Sequence, residues 1–451
     1  MATALTHSVS RPLAPALPIT SVFRFQKEAR ADILGLFDRW AELGGVARFQ
    51  SRIFVSHLLT SPEAVQHVLQ DNHKNYTKEV RSTGILRVAL GDGLFLSEGE
   101  KWRGQRRTAQ PAFHRQRLAA MTTAMGDAVA AMLARWQSFA ASGESFDLMR
   151  ETSRLTIDVI GRTLVGQDLL PYADSTARAM VATFDYFNHA LNHIIVAPLF
   201  VPTARNRAFK RAVGETHRLV DQVIAARQAH PSEVRDDLLS MLLEAYDAPG
   251  DAARLRYDLA TFLGAGTETT AVALSWAWHL LSNHPEAERK LREKVAAVLG
   301  SRQPTMDDVP RLSYARMVAD EAMRLYPPAW AISRTAVGDD EICGFHIPAG
   351  SAVFTSPWVT HRSRRYWDDP DKFDPERFTP ERSRGRHEYA YYPFGGGPRM
   401  CIGDRFSVME QTLALAMTAQ KFRVCVDHDG VPDPVFTLRP KGGIRATIAP
   451  V

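Results

Sequence analysis

Apolar positions along the chain recur mostly at three- and four-residue intervals, the spacing of one helix face. The pattern predicts helices over 63–71, 119–138, 151–165, 177–195, 205–228, 235–246 and 257–283, with further ones at 285–299 and 313–325. Ser61, Pro62 and Glu63 form a helix start: a capping hydroxyl, a proline at the first helical position and an acid in the first turn. After the turn Gly91-Asp92-Gly93, the residues Gly99-Glu100-Lys101-Trp102 open a basic helix. The stretch 257–283 is apolar on all sides, which suits a helix buried in a large protein or crossing a membrane. Glu268, Gly264 and Gly266 inside it argue for a protein interior. By contrast, 285–299 sets Glu286 against Lys290 and Glu288 against Arg292 at four-residue spacing, the mark of an exposed helix, with Gly300 as its C-cap. Ser313 reads as the cap of 313–325, and Pro327-Pro328 end it.

Strand signals are few. Residues 341–347, the Pro348-Ala349-Gly350 turn and 352–355 read as one hairpin, and 436–438 with 444–448 as another. Residues 82–90 are apolar without regular period and read as a loop; 366–393, rich in Pro, Asp and Arg, reads as a long loop of the kind that is functional or disordered. The predicted class is mainly α with small β-sheets.

A chain of 451 residues can bury a large core, and 45% hydrophobic with 23% charged residues is ordinary for a globular protein. The net charge of +5 is too small to mark a nucleic-acid binder. The three cysteines, Cys343, Cys401 and Cys425, build no disulfide framework and no C-x-x-C pair, which suits a reducing cytoplasm and argues against zinc or iron–sulfur ligation. Residues 1–20, interrupted by Pro12, Pro15 and Pro18, hold no continuous apolar run; neither a signal peptide nor a membrane anchor is expected there. They read as a disordered tail before one domain, 21–451.

Candidate chemistry gathers in Phe394-Gly395-Gly396-Gly397-Pro398-Arg399-Met400-Cys401-Ile402-Gly403. Glycines let a backbone approach a flat ligand closely. A cysteine just before a helix, with Arg399 two residues away, gains stabilisation of its thiolate, a nucleophile or soft metal ligand. Taken alone, a single cysteine is more often an inert buried residue than a ligand. In Leu263-Gly264-Ala265-Gly266-Thr267-Glu268-Thr269-Thr270, glycines that each cost a helix about 1 kcal/mol mark either a functional site or a close helix crossing. Glu321 and Arg324, three apart on a helix, read on their own as an exposed ion pair, and Trp102 with Arg106 as a cation–π pair.

The spacings 3, 2, 2 and 2 joining Phe394, Gly397, Arg399, Cys401 and Gly403 make the loop resemble the haem-binding signature of the cytochrome P450 family, soluble bacterial kind. The resemblance covers the chain from about residue 22 onward. It implies the P450 fold: a long central buried helix over the haem, a helix bundle and a small β-rich lobe. It implies haem b (iron protoporphyrin IX) with Cys401 as axial thiolate ligand of the iron, an electron-rich donor that favours O–O cleavage. Phe394, Gly395 and Gly403 would pack on the thiolate side, and Trp102, Arg106, Arg334 and Arg399 would bind the propionates. Ala265 to Thr270 is similar to the family's oxygen-activation motif, in which Ala265 and Gly266 leave a groove for O2, Thr269 places a hydroxyl against it and Glu268 connects to solvent protons. Glu321, Arg324 and, in Pro375-Glu376-Arg377-Phe378, Arg377 match its structural triad. Ile85, Leu86, Phe184, Phe187, Phe262, Ala265, Ala329, Trp330, Ile332 and Thr437 fall at substrate-contacting positions; they are mostly apolar, and Trp330 is larger than the residues common there. The pocket implied takes a hydrophobic terpenoid, fatty acyl or polyketide-like molecule.

The activity implied is insertion of one oxygen atom of O2 into that substrate. Electrons are expected from NAD(P)H through a separate ferredoxin or flavodoxin and its reductase, since no such domain follows Val451. Arg103, Arg107, Arg115 and Arg117 form a basic face suited to an acidic redox partner. A cytoplasmic monomer is expected. A haem-thiolate isomerase or dehydratase, a peroxide-driven peroxygenase and a non-catalytic haem sensor are the alternatives; the Glu268–Thr269 pair argues against each.

Overall fold

The long apolar stretch is one helix, Ala252–Asn283. A computed structural model describes residues 12–19, 21–51, 55–78, 80–193, 196–230, 235–248 and 250–451. Two compact units result: Met1–Val80 with Ala331–Tyr366 and His387–Met400, and Arg81–Trp330 with Trp367–Arg386 and Cys401–Val451.

In the larger unit, Ala252–Asn283 packs against the helices Leu148–Ile160, Ser313–Leu325 and Asp404–Ala419 and the strand Phe422–Val426. Its Trp276 and Ala277 are completely buried, in one core with Trp136, Leu413 and Leu415. The helices Arg115–Ser142, Ala173–Asn192, Ala204–Gln228, Leu238–Ala245 and Pro285–Leu299 fall on predicted patterns. Residues 194 and 195, at the end of the predicted 177–195, lie outside the described residues.

Three readings in this unit are corrected. Residues 82–90 belong to a helix, Val80–Leu90: Leu86 and Ala89 bury one face, while Gly84 and the exposed Val88 hide the period. The pairing of 436–438 with 444–448 does not form. Leu438–Pro440 pairs with Pro432–Pro434, and Arg445–Pro450 lies between Phe422–Val426 and Phe146–Asp147. Alternation tells which side chains a strand buries, not which strand lies beside it. Ser313 is the first helical residue, after Leu312, and not the cap.

The smaller unit is built on a five-stranded sheet in the order Val46–Gln50, Val55–Leu59, Ala352–Thr355, Ile332–Ala336 and Tyr76–Lys78. Only the pair Val55–Leu59 and Ala352–Thr355 is parallel. The predicted hairpin is therefore corrected: 341–347 is itself folded at Cys343-Gly344, both at positive φ (49° and 83°), so Asp340–Ile342 pairs with Phe345–Ile347 and 352–355 is free to join the sheet. The first helix of the unit, Val22–Ala41, is broken at Asp32, whose φ and ψ are extended. The helix over 63–71 begins as predicted, with the Ser61 hydroxyl accepting from the Ala64 N–H at 3.3 Å, and widens at His67–Asp71 to a π-type turn. The expected disordered tail is corrected for 12–19: Ala14, Leu17 and Ile19 are buried, and Leu17 N–H bonds to Arg48 O at 2.9 Å. Residues 1–11 and 20 lie outside the described residues. Among the described residues no helix is long and apolar enough to cross a membrane.

Candidate haem-thiolate site

The smaller unit carries the glycine loop. Gly395 and Gly397 have φ of +72° and +62°, and a Cβ on Gly397 would lie 1.9 Å from the Leu69 carbonyl oxygen, so only glycine fits that turn. A Cβ on Gly395 would meet Ile332 Cδ1 at 3.5 Å, which sets that predicted pocket residue beside the loop. Phe394, Arg399 and Arg334 are half-buried; Arg334 sits mid-strand and donates to the Ser333 carbonyl at 2.8 Å.

The larger unit carries Cys401, three residues before the helix Asp404–Ala419. Its residue keeps accessible surface, yet protein packed around the thiol pushes its pKa up. The expectation of a lowered pKa is corrected: burial outweighs the Gly403 N–H and Arg106, which lower it, and Asp404 raises it further. Bound metal would supply the charge that holds the thiolate. Arg106 is half-buried, its pKa lowered by burial and raised by Cys401 and Asp404, so its guanidinium lies in the field of the sulfur. Trp102, one turn earlier on the helix Gly99–Ala109, is half-buried as well. Between them Gln105 donates to Asp258 on the long helix at 3.0 Å; Asp258 also accepts from Leu94 N–H at 2.7 Å and Tyr246 O–H at 2.6 Å. This anchor for the Trp102–Arg106 helix was not foreseen; burial pushes the Asp258 carboxyl up.

The two glycines of the long helix answer to different causes. A Cβ on Gly266 would approach Ile160 Cδ1 to 2.8 Å, so this glycine lets the helix Leu148–Ile160 cross closely. A Cβ on Gly264 would meet nothing within 4 Å. Beside that opening Ala265 is exposed and Thr269 half-buried, on a helix buried from Leu259 to Leu263 and from Thr270 to Leu281. Of the three threonines, Thr267 donates to Leu263 O at 2.7 Å and Thr270 shares a 2.9 Å bond with Ser407, both buried. Thr269 alone stands on the open face, its hydroxyl donating to Ala265 O at 2.8 Å. Phe262 is instead buried, stacked on Phe113 at 5.9 Å, and Phe113 meets Phe406 edge-on at 6.2 Å.

Glu268 is buried and accepts at Oε1 from Thr437 Oγ1 at 2.9 Å and from Arg439 Nε. Thr437, predicted in the pocket, thus spends its hydroxyl on the acid, and Arg439 was missed; its sequence signal is a lone cation between Leu438 and Pro440. Phe187, Leu86 and Leu96 form a cluster joined by Ile85 and Phe436, and Phe184 stacks on Phe436 at 4.7 Å. Ala329 and Trp330 are half-buried, and the Trp330 indole N–H donates to Val435 O at 3.1 Å.

Glu321 and Arg324 are fully buried, not an exposed pair: Arg324 Nε and Nη2 reach the two carboxylate oxygens at 2.6 and 2.8 Å. Arg377 Nε lies 3.3 Å from Glu321 Oε1, and its guanidinium donates to the Asp368 and Asp369 carbonyls. Arg324 also takes Pro370 O at 2.7 Å and Lys372 O at 3.1 Å, so the network ties down the stretch 368–377. On the basic face Arg103, Arg107 and Arg115 are exposed, with Arg103 paired to Glu100, and Arg117 pairs with Asp236.

The residues fit the implied cofactor. Among the described residues no three His, Cys, Asp or Glu gather to cage a metal. A lone cysteine with an arginine in its field instead suits the one ligand a protein would supply to the iron of a macrocycle whose own carboxylates need cations. Fold and site define a haem-thiolate oxidoreductase. The family model described as Cytochrome P450 matches residues 25–446, and the chain belongs to the cytochrome P450 family, whose oxidoreductases use haem iron and O2. It is similar to cyclooctatin synthase of Streptomyces melanosporofaciens, 36% identical over 88% of this chain and 85% of the relative. It is 34% identical to cyclooctat-9-en-7-ol 5-monooxygenase of the same organism, over 82% and 80% of the two chains. It is 33% identical to pentalenene oxygenase of Streptomyces avermitilis, over 83% of each.

Proposed function

We propose that the protein is a cytoplasmic, monomeric monooxygenase of a carbocyclic terpenoid, supplied with electrons from NAD(P)H by a separate ferredoxin or flavodoxin and its reductase. The observation that carries the reading is the open face of the long helix, where Ala265 and Thr269 stand clear beside an empty Cβ position at Gly264. The names of relatives at 33–34% identity, which act on pentalenene and cyclooctat-9-en-7-ol, support the substrate class. So do the aromatic and aliphatic side chains at Phe184, Phe187, Phe436, Leu86 and Ile85.

When bound, haem supplies the redox chemistry by which O2 gives one atom to the substrate and the other to water, at the cost of two electrons and two protons. In this reading Cys401 would ligate the haem iron, and Trp102, Arg106, Arg334 and Arg399 would bind its propionates. Phe394, Gly395 and Gly403 leave room on the sulfur side. The Thr269 hydroxyl gives its hydrogen to Ala265 O, which leaves its oxygen lone pairs to accept a proton on the open face. Glu268 stands next to it in the chain as the group that replenishes that proton, and a positioned acid and alcohol together speed such a transfer. The apolar side chains exclude water and orient a ligand that has little polarity of its own.

The reading is tested by offering the purified holoprotein pentalenene, a linear fatty acid and a macrolide, with ferredoxin, reductase and NADPH or with hydrogen peroxide alone. The expected result is an oxygenated pentalenene that carries one atom from labelled O2, formed only with the reductase chain. Turnover with peroxide alone, or isomerised product without label, assigns one of the rival haem-thiolate activities. No product from any substrate under either condition, with haem fully loaded, speaks for a sensor.

A further inference from the structure

The glycine loop is held from outside by one phenol. Tyr389 is buried, and its hydroxyl accepts from the Gly397 N–H and donates to Gln70 Oε1 at 2.8 Å. Its ring lies against Gly396, where a Cβ would come within 2.3 Å of Tyr389 Cε1. Gln70 belongs to the π-type turn His67–Asp71, whose Leu69 carbonyl also abuts Gly397. We propose, resting on the reading of Cys401 as the haem ligand, that Tyr389 is a positioning residue: its hydroxyl fixes the turn Gly397–Arg399 and so keeps the Cys401 loop in the form that presents a thiolate to iron.

The loop supplies little order of its own. Gly395, Gly396 and Gly397 follow one another, and glycine loses more backbone freedom on folding than any other residue. Within the loop, Gly395 N–H bonds to Tyr392 O and Met400 N–H to Gly397 O, both at 3.0 Å. Neither bond uses the Gly397 N–H, which goes to Tyr389 instead. Arg399 ends the turn and Cys401 follows two residues later in the chain, so a shift of the turn moves both.

The phenol can hold the turn because its support is itself tied down. Asn72 N–H closes the π-type turn on His67 O at 2.8 Å, and His73 Nδ1 donates to Gln70 O at 2.7 Å. Asp340 Oδ2 takes three donors from the same region: Tyr76 O–H at 2.6 Å, His67 Nε2 at 2.9 Å and Asn72 Nδ2 at 3.0 Å. Turns of the π type depart from regular helix geometry and are frequent at functional sites. Burial, then Glu388 and Asp71, push the Tyr389 phenol up against the pull of the Gly397 N–H, so the hydroxyl keeps its hydrogen for Gln70. One such bond is worth about two- to tenfold in the population of the form it holds.

The test uses purified holoprotein and needs no turnover. Tyr389→Phe keeps the ring over Gly396 and removes only the hydroxyl. Hydrogen–deuterium exchange at the Gly397 amide, read by fragment mass spectrometry, should then be about two- to tenfold faster than in wild type. In mild urea, the thiolate-type spectrum of the reduced, carbon monoxide-bound protein should decay faster by a similar factor. Gln70→Ala, at an exposed residue, should shift both readouts the same way by less, because the Gly397 bond remains. Tyr392→Phe removes another buried hydroxyl of the same core, bonded to Thr360 at 3.2 Å, and should lower the urea midpoint while leaving both readouts as in wild type. Unchanged Gly397 exchange in Tyr389→Phe overturns the proposal. So does faster exchange with an unchanged spectral decay, or a decay that Tyr392→Phe speeds as much. If Tyr389→Phe does not fold, Gln70→Ala decides, and wild-type values of both readouts there overturn the proposal. A normal wild-type spectrum with unaltered variants defeats this proposal alone; a wild type with no thiolate-type spectrum defeats the reading of Cys401 and the proposal with it.

Discussion

Replacing Arg324 by alanine should leave almost no folded, haem-loaded protein. The guanidinium is fully buried, makes a two-pronged bond to the equally buried Glu321, and caps the carbonyls of Pro370 and Lys372. Removing one partner of a buried ion pair strands the other, at about 3–5 kcal/mol. Each orphaned carbonyl adds about 1–3 kcal/mol where water cannot reach it. Burial already pushes the Glu321 carboxyl up against the pull of Arg324, the Asp374 N–H and Arg377, so the acid has no reserve. The sum is comparable to the whole stability of a domain, about 5–15 kcal/mol. The assay is a urea melt with haem content measured on the same sample. Glu321→Ala combined with Arg324→Ala supplies the second arm, since removing both charges should recover part of the loss if stranding is the cause. Normal expression and an unchanged midpoint in the single variant would refute the reasoning. A double variant no better than the single would assign the loss to the loop carbonyls.

Thr269→Ala keeps the helix and removes only the hydroxyl on the open face. NADPH consumption should continue while product falls and hydrogen peroxide rises, since proton delivery by a placed group is worth about 10²–10⁴-fold; an unchanged product-to-NADPH ratio rules Thr269 out. Reversing charge at the exposed Arg103, Arg107 and Arg115 should slow reduction by a ferredoxin and weaken its salt dependence without altering substrate affinity; equal rates at every ionic strength would move the docking face elsewhere. His57, 1% exposed, has its pKa lowered from 6.5 to about 4 by burial first and then by Arg48 and His346. Below pH 6.5 the unfolded chain takes a proton the folded one refuses, so stability is fully present above that pH and is lost toward pH 4. Unfolding free energies from urea melts at pH 7 and 5 should differ by about 2 kcal/mol more in wild type than in His57→Gln; equal differences contradict the burial argument.

Where one helix face carries the information, the pattern of residues was enough. Pro285–Leu299 was legible because apolar period, caps and breakers agree, and the long buried helix because so long a stretch is apolar on all sides. The glycine loop was legible because the left-handed turns at Gly395 and Gly397 accept almost nothing else. What the pattern lacked was partnership. Residues 352–355 and 444–448 read as strands without revealing their neighbours, because alternation is a property of one strand and pairing is a property of two. Arg439 and Asp258 escaped notice because each acts across a long gap in sequence, on Glu268 and Gln105. The glycines at 264 and 266 could not be told apart until Ile160 was seen beside one of them. The sign of the Cys401 shift was misread because local charges can be counted along a chain, whereas burial is a tertiary quantity.

The central claim is that Cys401 binds haem iron as a thiolate. The most direct measurement is the absorption spectrum of the reduced, carbon monoxide-bound holoprotein, taken beside that of Cys401→Ser. The account predicts a thiolate-type spectrum in wild type and its loss in the variant, together with all oxygenation. Neither Cys343 nor Cys425 lies in a glycine loop that could substitute. A thiolate-type spectrum that survives in Cys401→Ser would contradict the account.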